Sequence, residues 1–173
     1  VTASPPQRYL IALGSNVRHA RHGAPAAVLR AAVRALAAQG LAVEAVSPTI
    51  ASAPLGPSRR RYANAAAIVA GDLMPPALLL LLQRIEHDFG RVRRGQRWRA
   101  RTLDLDVILW SGGVWRQAPG ATPALRVPHP EYRKRTFVLT PAAAIAPGWR
   151  DPETGLRIKH HNARLTRRTP RPR

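Results

Sequence analysis

From residue 8 onward, short apolar runs alternate with longer amphipathic stretches, and these periods divide the chain into elements. Residues 8–13 form an apolar run that the turn chemistry of Gly14, Ser15 and Asn16 stops, which predicts a strand. Across 25–39, Val28, Leu29, Ala32, Val33 and Leu36 recur at helical spacing, with Pro25 suited to the first turn and Gly40 to the stop. Residues 41–46 and 62–70 read as strands on either side of a loop rich in proline and arginine. A second helix starts near Pro75 and Pro76 and runs to about Phe89, with Gly90 as its cap. It places Leu78, Leu81, Leu82, Ile85 and Phe89 on one stripe and Gln83 and Glu86 on the other side. After a basic loop at 91–101, polar and apolar residues alternate from Thr102 to Trp110, as a strand requires.

The order β-α-β-β-α-β predicts an α+β fold of the ferredoxin-like kind, an antiparallel sheet with helices packed on one face. Beyond it the pattern suggests a loop with Pro128 and Pro130, a short helix at 136–144, a hairpin at 149–158 and an arginine-rich tail. A chain of 173 residues suits one domain. That domain is expected over 8–160, with 1–7 and 161–173 as disordered tails.

Composition narrows the chemistry. With no cysteine there is no disulfide framework, no Cys-ligated zinc and no thiolate nucleophile, so a metal would be held by carboxylates or histidines. The longest apolar run, 77–82, is far short of the ~20 residues a membrane helix needs, and the start lacks a leader's charged-then-apolar plan. A cytoplasmic protein with no membrane partner is expected. The net charge of +19 would by itself point to nucleic acid. Yet every basic residue except Lys134 and Lys159 is arginine and alanine is abundant, as a GC-rich coding background produces. The arginines that matter must therefore be found by position.

In the run RTLDLD, Asp104 and Asp106 lie two apart in a strand, so both carboxylates project from one face, about 6.6 Å apart at the backbone. Such a pair is costly to desolvate unless a hard cation sits between its members. Two Mg²⁺ ions ~3.5–4 Å apart could be bridged by it and clamp a polyphosphate. The alternative is an ordinary solvated face of a sheet. The preceding loop tips the balance, because Arg91, Arg93, Arg94, Arg97, Arg99 and Arg101 supply guanidinium forks for phosphate, and Trp98 supplies a flat face. No Walker-type phosphate loop is present.

These residues belong to a longer series: ALGSN (12–16), PLGP (54–57), YANA (62–65), QRIE (83–86), GRVR (90–93), RW (97–98), RTLDLD (101–106), VPHP (127–130), RTFVLTP (135–141) and IAP (145–147). In this order and spacing, from Tyr9 to about Trp149, the chain resembles the 6-hydroxymethyl-7,8-dihydropterin pyrophosphokinases. The resemblance implies diphosphate transfer from ATP to a reduced hydroxymethylpterin, a step of folate synthesis, with ATP as co-substrate and two Mg²⁺ ions. It implies that Asp104 and Asp106 bind metal and that Arg91 and Arg101 steady the transferring group. Ser52, Ala53, Leu55, Tyr62, Asn64, Trp98 and Phe137 correspond to the pterin pocket, and Gln83, Glu86, Arg93, Arg97, His129 and Arg135 to nucleotide contacts. A monomer is expected. The chain departs from the family's pattern at Arg99 and Ala100, where Gly-Pro is common, at Arg59, Arg60 and Arg61, and at Ala53.

The chief rival is an RNA-binding module on a similar sheet. That would place aromatics on the central strands, where this chain has Leu, Ala and Asp. No specific nucleic-acid partner is expected.

Overall fold

The computed structural model describes residues 5–53, 60–90, 102–118, 120 and 124–167. In chain order the elements are β1 (Gln7–Ser15), α1 (Pro25–Ala38), β2 (Ala42–Val46), β3 (Ile50–Ser52), β4 (Tyr62–Gly71), α2 (Pro75–Asp88), β5 (Asp104–Trp110), β6 (Trp115–Arg116), β7 (Arg126–Val127), α3 (Thr136–Ile145) and α4 (Ile158–Thr166). A turn of 3-10 helix, Tyr132–Lys134, precedes α3.

The main sheet runs β2-β4-β1-β5, with the short β3 also paired to β4. All of its pairings are antiparallel. β1 is central, running in register with β4 from Gln7↔Gly71 to Ser15↔Ala63. It therefore continues through Gly14 and Ser15, two residues past the stop the sequence suggests, because pairing on both sides absorbs the turn-prone residues into the ladder. Against β5 the register shifts once: Leu10 faces Leu109 but Ile11 faces Val107, leaving Ile108 as one extra residue on β5.

Both faces of the sheet are covered, which corrects the expectation of helices on one face. On one side α1 and α2 bury Val28, Leu29, Leu36, Leu78, Leu82 and Ile85 against Tyr9, Ile11, Leu13, Ala67, Val69, Leu105 and Val107. On the other, α3 and α4 bring Val138, Leu139, Ala142 and Ile158, with Tyr132, against Leu10, Ala66, Ile68, Ile108 and Leu109. Strands covered on both faces read as continuous apolar runs rather than alternating ones, and residues 64–70 of β4 are buried without a break. α1 and α2 each begin with a proline in the first turn, where a missing N–H costs nothing. Gly40 (φ 86°) and Gly90 (φ 80°) follow their ends in the left-handed conformation glycine permits.

The C-terminal part differs from expectation. Residues 149–158 form a turn closed by a single antiparallel bridge, Arg150↔Arg157, rather than a two-stranded hairpin. α4 then occupies 158–166, most of which had been assigned to a tail. Ile158 and His161, one turn apart, are its buried residues, and its other positions are largely exposed and basic, which is why its helical period is faint.

Candidate active site

The site begins as two rows across the sheet. Gly14 is in register with Asn64 on one side and Asp104 on the other, and Ala12 with Ala66 and Asp106. Directly opposed residues of an antiparallel pair share a face, so Asn64, Gly14, Asp104 and Asp106 all present to the α3 side. A Cβ placed on Gly14 would lie 3.7 Å from Asn64 Oδ1 and 3.9 Å from Asp104 Cβ. Asn64 and Asp104 thus flank a strip of bare backbone, roughly 10 Å apart across two strand spacings.

Asp104 and Asp106 are half-buried while Leu103, Leu105 and Val107 are in the core, so the alternation read from the sequence holds along this stretch. β5 is an edge strand. The backbone N–H of Leu105 donates to Glu86 Oε1 at 2.8 Å. Glu86 is only 3% exposed, which corrects its placement on the outer side of the second helix. It stands four residues after Leu82 and eight after Leu78, so it continues their stripe. Gln83 lies one turn before it on α2 and is partly exposed.

At the other end of the row, Asn64 Nδ2 donates to Ser52 Oγ at 2.8 Å, which fixes the direction of a nearly buried amide. Tyr62, paired with Ser52, opens β4, and Ala53 is an exposed residue just after β3. Phe137, in the first turn of α3, packs on the second core cluster, with the Arg135 guanidinium 5.9 Å from its ring centroid.

His129 approaches from the segment between β7 and α3. Its backbone N–H donates to Ile108 O at 3.0 Å, tying it to β5 just beyond Asp106. Burial, reinforced by the charge of Arg135 and opposed by Glu131 and Asp104, pushes its pKa down to about 4. The ring is neutral at physiological pH. Its Nδ1 accepts the Glu131 N–H at 3.2 Å, so the proton resides on Nε2, which can donate to an anion.

His129 and Asp106 line one cavity of about 460 Å³, together with apolar Leu79, Val107 and Leu125 and polar Gln117 and Arg126. This size and mixture suit a small heterocyclic ligand. Gln117 and Arg126 had no signal in the sequence, since they share a cavity with Asp106 only through the β6–β7 pairing and the segment that joins it to β5. Of the other residues implied by resemblance, Leu55, Arg91, Arg93, Arg97, Trp98 and Arg101 lie outside the described residues.

Two carboxylates on one strand face are hard oxygen donors. Mg²⁺ is commonly held by one or two such groups, with waters and substrate phosphates completing its shell. Among the described residues no group of three or more histidine or acidic side chains converges, and the pair at 104 and 106 fits a cation whose remaining positions go to a ligand.

Comparison with known proteins shows the family. Residues 10–147 match the family described as 7,8-dihydro-6-hydroxymethylpterin-pyrophosphokinase. The chain is 37% identical over 149 residues to the 2-amino-4-hydroxy-6-hydroxymethyldihydropteridine pyrophosphokinase of Synechocystis sp., covering 86% of this chain and 71% of that protein. Its counterpart in Pseudomonas aeruginosa is 41% identical over 148 residues, 85% of each chain. A wild-type Plasmodium falciparum HPPK-DHPS structure shares the fold with a TM-score of 0.71 at 10% identity, covering 92% of this chain but only 41% of that one. The chain belongs to the 7,8-dihydro-6-hydroxymethylpterin-pyrophosphokinase family.

Proposed function

We propose that this protein transfers diphosphate from ATP to the hydroxyl of 6-hydroxymethyl-7,8-dihydropterin, releasing AMP, as a step of folate biosynthesis. The observation that carries the reading is the row Asn64–Gly14–Asp104, which puts a group able to read a heterocycle's polar edge and a carboxylate able to hold metal on one face of the sheet. Asn64, with Ser52, Ala53, Leu55, Tyr62, Trp98 and Phe137, forms the pterin side. The cavity at Asp106 and His129 takes the nucleotide, with Gln83, Glu86, Arg93, Arg97 and Arg135 in supporting roles.

In the reaction the pterin hydroxyl oxygen bonds to the β-phosphorus. The bond from that phosphorus to the bridging oxygen on the α side breaks, AMP departs with the bridging oxygen, and the hydroxyl proton is released. Mg²⁺, as two ions held by Asp104 and Asp106, would supply charge neutralisation at the phosphates and a lowered pKa for the hydroxyl. The neutral His129 donates a hydrogen bond from Nε2 to the nucleotide's phosphates, and Arg91 and Arg101 steady the transferring diphosphate. Holding the two substrates in line supplies the rest.

The strand order β2-β4-β1-β5, all antiparallel, supports reading the core of the fold as ferredoxin-like, with β3, the β6–β7 pair and the α3–α4 layer added to it. Among the described residues no helix is long and apolar enough to cross a membrane. A cytoplasmic monomer with one domain that runs from about residue 8 through α4, past the expected end at 160, and no specific nucleic-acid partner, completes the reading.

The test is phosphorus NMR of a single turnover with ATP, Mg²⁺ and the reduced hydroxymethylpterin. AMP and a pterin diphosphate ester should appear together. ADP with a pterin monophosphate would refute the assignment.

A further inference from the structure

β6 and β7 form a ladder of only two residue pairs, Trp115↔Val127 and Arg116↔Arg126. One of these sets two arginines directly opposite each other, an arrangement that repels and weakens a pair of strands. The repulsion is met by one carboxylate: Glu153 Oε1 accepts from Arg116 and from Arg126, each at 3.0 Å. Its other oxygen, Oε2, accepts from Arg133 at 2.8 Å. Arg133 also grips Asp151 through Nε at 2.6 Å, and the same Asp151 oxygen accepts the Tyr132 hydroxyl at 2.8 Å.

Glu153 therefore joins two walls of one cavity. Arg126, with Gln117 and Leu125 of the same hairpin, lines one wall, and His129, three residues before Tyr132, lines the other. The Gln117 N–H donates to Leu125 O at 3.1 Å, so the hairpin's last backbone bond before the cavity depends on the ladder that Glu153 neutralises. Glu153 lies at 14% side-chain exposure, and hydrogen bonds from Arg133 and Arg126 bring its pKa down to about 2, against a smaller opposing effect of burial. It is thus charged throughout the physiological range. It also lies beyond residue 147, where the family match ends.

We infer that Glu153 is a positioning residue for the nucleotide, acting through Arg126: it holds the β6–β7 wall of the cavity against the His129 wall without touching the ligand. The inference rests on the assignment of that cavity to the nucleotide.

The experiment is calorimetric titration of the intact protein with Mg²⁺ and a non-hydrolysable ATP analogue, and separately with the pterin substrate, for wild type, Glu153→Gln, Arg126→Ala and the double variant. Glu153→Gln should weaken the analogue by about fivefold or more and leave pterin affinity unchanged. In the Arg126→Ala background the same substitution should have little further effect. Arg116→Ala, which removes a partner of the same carboxylate away from the cavity, should bind the analogue like wild type. Glu153→Asp, which keeps the charge, should recover part of the loss and provides the comparison if Glu153→Gln fails to fold. Additive losses, an equal loss of pterin affinity, or unchanged binding in Glu153→Gln would overturn the inference. Analogue binding that is intact in wild type and unaffected by Arg126→Ala would overturn the assignment of the cavity instead, and a wild type that binds no analogue would overturn the proposed function.

Discussion

Glu86 Oε1 accepts the backbone N–H of Leu105 at 2.8 Å, so α2 grips β5 at the one residue that separates the two aspartates. A buried carboxylate used this way stiffens the strand from behind. Glu86→Ala removes the acceptor from a buried amide and should cost about 1–3 kcal/mol. Glu86→Gln keeps an acceptor oxygen at that position and should lose less. Urea denaturation of the two variants measures the difference, and a Glu86→Ala protein as stable as wild type would show that the bond contributes nothing.

Asp104→Ala and Asp106→Ala should each abolish turnover while leaving the fold intact. Both side chains are half-buried on the α3 side, and the core residues of β5 are their neighbours Leu105 and Val107. Loss of a metal ligand removes electrostatic stabilisation worth several kcal/mol of barrier. Steady-state assays alongside thermal melts check both halves of the statement. Near wild-type rates in either variant would remove the metal-binding role.

Gly14→Ala should be tolerated, since a Cβ there makes only ordinary contacts with Asn64 and Asp104. Gly14→Val, by filling the strip between those two side chains, should raise the KM for the pterin substantially. The melting temperature of Gly14→Val should change far less than its KM. A variant with unchanged KM would mean that the substrate does not lie over this strip.

His129 makes stability depend on pH in the unliganded protein. Its folded pKa of about 4 lies below the ordinary 6.5, so as pH falls the unfolded chain takes up the proton first. The favourable contribution is complete above about pH 6.5 and is lost as pH drops toward about 4, by up to about 3 kcal/mol. Denaturation midpoints measured from pH 7 to pH 4 should fall more steeply for wild type than for His129→Gln. Parallel curves would show that the ring titrates normally.

Much of this architecture was legible because its period is long enough to read. β1, α1, β4, α2 and β5 each carry a run of apolar positions at strand or helix spacing. β3, β6 and β7 have only two or three residues each, so partners rather than local pattern create them. The helix at 136–144 was expected, but no local pattern set α3 and α4 over the second face of the sheet, and the basic, mostly exposed α4 gave little helical period to read. Within the site, strand alternation placed Asp104 and Asp106 on one face, and motif spacing named Asn64 and His129. Glu86 was set on the wrong side because a carboxylate on an apolar stripe looks like an outer residue until its acceptor role is known. Arg126 and Glu153 carried no local signal, since the three elements that bring them together are distant in the chain.

The extra residue Ile108 changes the phase of β5. Before it, the odd-numbered Leu105 and Val107 join the α1–α2 core and the aspartates face the α3 side; after it, Leu109 takes the α3 side and Trp110 the α1–α2 core. The strand is thus two half-strands of opposite parity, one reserved for chemistry and one for packing. Deleting Ile108 would make the parity uniform. The alternation would then run unbroken from Asp104 to Trp110, with the aspartates still on the α3 side and Leu105 and Val107 still in the α1–α2 core, so the chemical half would survive the deletion and only the packing that Ile108 gives the α3 side would be lost.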